Sequence, residues 1–437
     1  MPNLKISDPI RRHGLRLAGC ALLIAGLVAA PTFAQSEDDS TPPAIVPPEG
    51  EADVFSYGEP SAEDATRRVE AASPSVETAR PRIERARLVG KPGHRWNRGT
   101  QRVIPGAARA EFSRQGDWIA YDKGNDRGRR ALYISLANGD SESCLSCDLW
   151  DSRNANILSP TWHPRGQVLV AMVQGAGRKL DLNTQQLASP ARGLHSDLWA
   201  FTRDGKDAWQ ITNVVPQGGA ILDPVFSQEG DKLAWTERYD TTVGGKWGAW
   251  QVRIAEFEIK RGLPRLGKVR TLRLPGPAVA VLHGFTGNDR GLWLSVSRDE
   301  RVTSMQAARL DLESGRLEWL PPLGDRDDRV LGIPGSERRL LVSNRDIPRP
   351  SGALLTQRSD LWFASASGRR QERLSFYNNP DADDHFGETH IADLSWGPRG
   401  EGLMLHLITA GRGSVEEGLY LLDLSPELAE GGGALTR

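Results

Sequence analysis

One pattern recurs along this chain and limits what it can fold into. Glu111–Tyr121, EFSRQGDWIAY, is an apolar run, an aromatic, a short polar turn closed by Gly116, and a second apolar run. It reads as two antiparallel strands joined by a compact turn, because glycine supplies backbone freedom while Trp118, Ile119 and Tyr121 suit a pleated surface. Trp162-His-Pro-Arg-Gly166 leads in the same way into Val168-Leu-Val, Phe226-Ser-Gln-Glu-Gly230 into Leu233-Ala-Trp, and Trp396-Gly-Pro-Arg-Gly400 into Leu403-Met-Leu. Two copies are looser. Phe285 precedes Leu292-Trp-Leu through a longer turn ending at Gly291, and Ile333 precedes Leu340-Leu-Val with Glu337 where the glycine would sit.

The anchors are spaced by about 48 to 64 residues, the length of a propeller blade with variable loops. A second hairpin signature follows most copies: Ala131–Gly139, Asp197–Gly205, Ala308–Gly315, Asp360–Gly368 and Gly418–Leu424. Two hairpins make a four-stranded blade, and six blades make a closed ring, so the expected fold is all-β, a six-bladed β-propeller. Thr100–Pro105 and Ala434–Arg437 compete as the strand that closes the ring. Trp, at 13 residues, outnumbers Phe at 10 and Tyr at 6, and its recurrence at blade positions points to packing.

The pairing of Phe226-Ser…Gly230…Leu233-Ala-Trp235 with Ser196-Asp-Leu-Trp199…Asp204-Gly205…Gln210-Ile-Thr212 resembles the WD40-like (PD40) repeats of TolB-type propellers. The resemblance runs from roughly Gln101 to Arg437. It implies a propeller in the cell envelope. TolB-type proteins also carry an α/β domain ahead of the propeller that contacts other envelope proteins, and the stretch ahead of the repeats here is too short and too polar to be one.

Residues 1–34 have the form of a signal peptide. Arg11, Arg12 and Arg16 make a basic region, Leu17–Ala30 an apolar one, and Thr32-Phe-Ala34 a small-x-small cleavage site before Gln35. The apolar run is too short to favour a retained membrane span, so the expected location is periplasmic or secreted, with no transmembrane segment after signal removal. Leu17-Ala-Gly-Cys20 has the letters of a lipobox, but the apolar run continues past the cysteine instead of ending before it. Residues 35–99 shift to Ser, Glu, Asp, Pro and Ala, a composition that buries too little apolar area to offset its ordering entropy. A flexible linker is expected there, with the propeller over 100–437.

A formal net charge of −1 lacks the basic excess of a nucleic-acid binder. G-x-S-x-G, Walker A and dinucleotide signatures do not occur, and Gly411-Arg-Gly-Ser414 lacks the hydrolase spacing. The turns Ser113–Asp117, His163–Gly166 and Ser227–Gly230 are short, whereas Gln174–Ser196, Tyr239–Lys246, Asn344–Ser359 and Ala410–Glu417 are long. The long connections share one face of the ring. Elaborated loops on a rigid scaffold are where binding residues concentrate, although long loops also simply tolerate insertion.

On that face His195, Asp223, Trp247 and Trp250 are the candidate ligand-binding residues. An exposed indole would stack on a sugar or cap a peptide, and blade packing accounts for the two tryptophans equally well. The connection Asn378–His390 holds Asp381, Asp383, Asp384, His385, Glu388 and His390, oxygen donors with two imidazoles. That set suits a divalent metal, though its spacing is not that of an EF-hand, and a solvated acidic loop is the competing reading. His163 and His283 read as structural. Cys144-Leu-Ser-Cys147 reads as a local disulfide in an oxidising compartment. Zinc would need two more ligands, Asp148 replaces the His that covalent haem requires, and redox pairs usually open a helix rather than leave a strand.

Three functions follow as expectations. The first is a non-catalytic exported propeller binding an envelope protein, a peptide or a glycan through its long-loop face. The second is a metal-assisted polysaccharide lyase or hydrolase using His195, His385 and His390. The third is a Tol-Pal-like envelope accessory protein.

Overall fold

The computed structural model describes residues 96–125, 129–149, 155–175, 190–243, 247–276, 278–297, 305–348, 353–355, 357–397, 400, 402–411, 413–425 and 428. Residues 1–34, expected to be a signal peptide, nearly all of the expected linker over 35–99, and Ala434–Arg437 lie outside the described residues.

The strands form six four-stranded antiparallel sheets. After β1 (Asn97–Pro105), the first blade is β2 (Ala107–Phe112), β3 (Trp118–Gly124), β4 (Arg130–Leu136) and β5 (Ser143–Cys144). The second is β6 (Asn156–Trp162), β7 (Val168–Gln174), β8 (Ser196–Thr202) and β9 (Ala208–Gln210). The third is β10 (Ala220–Phe226), β11 (Lys232–Asp240), β12 (Ala249–Lys260) and β13 (Leu263–Arg273). The fourth is β14 (Ala280–Phe285), β15 (Gly291–Ser297), β16 (Met305–Asp311) and β17 (Leu317–Trp319). The fifth is β18 (Asp327–Gly332), β19 (Arg339–Ser343), β20 (Asp360–Ala364) and β21 (Gln371–Arg373). The sixth is β22 (Glu388–Trp396), β23 (Gly402–Gly411) and β24 (Ser414–Leu424), completed by β1.

The ring is thus closed by the N-terminal strand, which pairs with β24 from Asn97↔Leu424 to Pro105↔Gly418. This strand starts inside the stretch that composition assigned to the linker, and Trp96 just before it is buried, its ring edge-on to Phe363 with the centroids 5.1 Å apart. Ala410–Glu417 is not a loop. β23 and β24 pair as far as Gly411↔Ser414, so this connection is a tight turn at the end of a long hairpin.

The repeated glycines have a local cause. Gly116, Gly166 and Gly230 each have φ between 72 and 82° and donate N–H to the carbonyl three residues back. An L side chain there would be strained. The two looser copies solve the same turn differently. Asp289 takes the left-handed position in the fourth blade at φ 52°, and Pro334-Gly335 makes a proline-glycine turn in the fifth with Gly335 at φ 70°. Gly291 and Glu337 therefore lie outside the turn positions that the sequence pattern gave them.

Six apolar clusters, one at each interface between adjacent blades, hold the ring together. Tryptophans stitch some of these interfaces. Trp162 Nε1 donates to Glu111 O of the preceding blade at 3.1 Å, and Trp396 Nε1 to Gly332 O at 2.8 Å. Each indole thus satisfies its N–H while covering apolar area.

Candidate functional site

The inner strand of every blade carries a register shift, so each places an extra residue against its neighbour. A bulge re-aims a side chain, and here the re-aimed ones meet around the axis. Arg109, Ser159 and Asp223 occupy the same bulge position in three successive blades at φ 48°, 48° and 40°. Pro160 and Pro224 follow two of them, as a bulge permits because it needs no ladder N–H there. Positive φ at non-glycine residues costs energy, and packing from three blades holds it in place.

These groups form one ionic network. Arg109 Nη1 lies 3.3 Å from Asp223 Oδ1 and 3.2 Å from Asp393 Oδ1, Arg329 Nε lies 3.3 Å from Asp393 Oδ1, and Ser159 Oγ donates to Asp223 Oδ1 at 2.9 Å. Burial would raise the Asp223 carboxyl, but Arg109, Arg329 and Arg192 outweigh it and hold the group below its usual range. One oxygen is left over. Asp223 Oδ2 is buried and has no hydrogen-bond partner among the described residues.

The network continues towards the long-loop face. Arg192, wholly buried, comes from the long connection after β7 and reaches Asp122, and its Nε donates to Ser159 Oγ at 2.8 Å. Asp122 also accepts from Arg130 Nε and from Ser159 N, while Arg130 pairs with Glu417, which lies 3.3 Å from His406 Nε2. Against burial, Arg192 and Arg130 keep Asp122 ionised below its ordinary range. The channel is therefore filled on the side where the sequence placed the binding site, because an arginine from one long loop is drawn into the axis.

The space lies in the other half. A cavity of about 290 Å³ is lined by the halves of the inner strands that run into the short turns, with Glu111, Thr161, Asp223, His283 and Asp393 supplying polar atoms. Phe112, Phe226 and Trp396, all partly exposed, line it as well. Burial pushes Glu111 up to about 7, against the stabilising contacts of Thr161 and the Trp162 backbone. His283 is driven the other way, well below its usual value, by burial and then by Arg329 and Arg109, and its Nε2 sits 2.9 Å from Ser295 Oγ. The cavity thus holds a carboxyl poised near neutrality and a neutral imidazole.

Of the candidate residues from sequence, Asp223 alone lines this cavity. His195 lies beyond the filled end, half-buried at φ 59°, with its carbonyl accepting from Gly175 N at 3.3 Å. Trp250 is 0% exposed in a cluster with Ala220, Leu222 and Val279, and its Nε1 donates to Trp247 O at 2.9 Å. Trp247 packs on the same cluster, so the pair serves blade packing. His163 is buried between blades, its ring centroid 5.1 Å from Phe226, as its structural reading expects.

The acidic–histidine connection does not fit a metal. Asp384 Oδ2 accepts from Phe376 N at 3.1 Å and Asn97 Nδ2 at 3.4 Å, Glu388 Oε2 accepts from Leu355 N at 2.7 Å, and buried His390 Nδ1 sits 3.0 Å from Ser359 Oγ. Asp381, Asp383 and His385 are exposed, and no group of three or more ligating side chains forms among the described residues. Asp384 Oδ2, Glu388 and His390 are thus engaged in organising the connection. Cys144 and Cys147 are joined in a disulfide at the outer edge of the first blade.

Sequence reasoning missed Arg109, Glu111, Ser159, Arg192, His283, Arg329 and Asp393. A signal was present for several: Arg109, Ser159, Asp223 and Asp393 each stand three residues before the anchoring aromatic Phe112, Trp162, Phe226 or Trp396.

Among the described residues no helix is long and apolar enough to cross a membrane. No protein-family model matches the chain, and no curated protein matches it. Among solved structures it is similar to TolB from Acinetobacter baumannii, at 13% identity and TM-score 0.42 over 74% of this chain; it spans 64% of that protein's length. It is also similar to a putative TolB from Agrobacterium tumefaciens, at 13% identity and TM-score 0.43 over 75% of this chain and 90% of that one. An oligogalacturonate lyase from Vibrio parahaemolyticus is similar at 10% identity and TM-score 0.43, over 74% of this chain and 93% of that one.

Proposed function

We propose that the protein is an exported binding propeller whose central cavity receives the donor-rich end of an envelope partner, either an amine-bearing protein segment or peptide or a glycan ring. The observation that carries this reading is Asp223 Oδ2, a buried acceptor with no partner that lines a cavity of about 290 Å³. Leaving such an acceptor unmade costs about 1–3 kcal/mol, and an incoming N–H or O–H recovers it. The volume lies at the small end of ligand pockets, enough for one side chain, a chain terminus or one sugar ring. Glu111 adds a second acceptor once ionised, and Phe112, Phe226 and Trp396 offer apolar faces to the stem of a lysine or to a sugar.

The test is a melting-temperature screen of the full mature protein against short peptides with free or acetylated amines and against neutral oligosaccharides. A binder should raise the midpoint in proportion to log concentration, and Glu111→Gln should weaken the effect. If no amine-bearing or hydroxyl-rich probe moves the midpoint at millimolar concentration, this reading fails.

A second reading, catalysis on a polysaccharide, has one observation in its favour: Glu111 titrating at about 7 inside the cavity suits a general acid or base. It predicts turnover of a polysaccharide panel that Glu111→Gln abolishes. Binding without turnover separates the two.

A further inference from the structure

The third blade has the longest outermost strand of the six. The outermost strands β5, β9, β17 and β21 have 2, 3, 3 and 3 residues and the ring-closing β1 has 9, whereas β13 has 11. It is the last strand of its sheet, so one side of its backbone has no strand partner among the described residues. Short edges are the usual protection against stray pairing, and this blade lacks that protection.

The composition of the edge is one-sided. β13 carries Arg265, Lys268, Arg270 and Arg273 and no acidic residue, in a chain whose formal net charge is −1. Arg270 is used locally, its guanidinium donating to the Leu312 and Glu313 carbonyls of the fourth blade, and Arg273 lies 5.1 Å from the Tyr239 ring centroid. Arg265 and Lys268 are exposed. Apolar area is exposed alongside them: Leu263 at 39%, Val269 at 40% and Tyr239 at 42%. β13 pairs with β12 in two regular stretches, Leu263–Leu266 and Val269–Arg273, separated by a register shift at Gly267–Lys268, and the second is the longer and avoids the missing N–H of Pro264. That stretch is long enough for a five-residue strand.

We propose that β13 is a docking edge for an extended acidic peptide segment of a partner protein, which adds to the third blade as a fifth strand. Main-chain hydrogen bonds to Val269–Arg273 supply affinity, and alternate side chains supply selectivity, with Asp or Glu against Arg265, Lys268 and Arg273 and an apolar side chain against Val269. A second copy of this chain is the poorer occupant. Pairing two β13 edges would bring four positive charges against four, so the basic residues that suit an acidic strand also oppose self-association.

The experiment uses the full mature protein and a fluorescent peptide of about nine residues in the repeating order Glu-Glu-Val-Val, which puts both residue types on each face of a strand, read by anisotropy at about 50 mM and 500 mM salt. Saturable binding at low salt is expected, at least about tenfold weaker at high salt and in the double variant Arg265→Glu/Lys268→Glu, whose sites are exposed and distant from the core. The same peptide N-methylated at alternate residues keeps its charge but cannot complete a ladder, and it should not bind. The proposal is overturned by any of four results: no binding at low salt, equal binding to the double variant, equal binding of the N-methylated peptide, or equal binding of a sulfated polysaccharide. Either of the last two would make β13 a general polyanion surface.

Discussion

Arg109 of the first blade and Asp223 of the third meet across the propeller axis, Nη1 3.3 Å from Oδ1, each delivered by a β-bulge with positive φ. Both are buried, at 6% exposure apiece. Truncating one partner of such a pair leaves an uncompensated charge, which costs more than the pair itself contributes. Arg109→Met should therefore destabilise the propeller by about 3–5 kcal/mol in urea unfolding. Arg109→Met/Asp223→Leu should cost less than the sum of the two single variants, because Arg329 still compensates Asp393. A single variant that costs under about 1 kcal/mol would mean that the network is not holding the inner strands together.

Glu111 sets a pH dependence with a definite sign. Its folded value of about 7 lies above the ordinary 4.5, so between those limits the folded state holds the proton more tightly. The stabilisation is complete below pH 4.5 and is lost as pH rises through 7. Relative to Glu111→Gln, the parent protein should lose on the order of 2 kcal/mol between pH 5 and pH 8, seen as converging then crossing melting curves. A constant difference across that range would place the carboxyl in water.

The repeat was legible because anchors, turns and apolar runs coincide. Phe112, Trp162, Phe226 and Trp396 carry blade packing, and the glycine four residues later carries the turn, so local and global demands select the same residues. Apart from Asp223, the site was read past because it depends on register. Period-two alternation gives no reason to single out Arg109 or Ser159, and one inserted residue turns them into the axis. Arg192 was hidden differently: it reaches the axis from a long connection that reads as exposed. For Trp250 the sequence left stacking and blade packing level, because a position beside a loop does not show where the indole points; its N–H is satisfied inside the blade.

Metal content tests the acidic connection. Because Asp384, Glu388 and His390 already bond to backbone or hydroxyl groups, protein purified without chelator should carry well under one equivalent of divalent metal. Asp381→Ala, at an exposed site, should leave the melting point unchanged, whereas Asp384→Ala should lower it by removing the acceptor of Phe376 N. One equivalent of metal that disappears in Asp381→Ala/His385→Ala would restore a metal centre there.

Ring closure gives the last prediction. β1 supplies the outer strand of the sixth blade, Trp96 fills a space against Phe363, and Trp96 O accepts from Ser425 N at 2.9 Å, which ties both ends of the described chain to one blade. A chain beginning at Ala107 keeps every other strand but exposes the β24 edge along Gly418–Leu424 and opens the apolar cluster beneath it. An open edge of that length is a template for pairing with another copy. The shortened chain should melt earlier and less cooperatively and should associate with rising concentration in light scattering. A synthetic peptide of residues 96–105 added in trans should reverse both effects, because it restores the missing ladder without changing the remaining sequence. A monomeric shortened chain with the parent's melting curve would show that the inter-blade clusters alone close the ring.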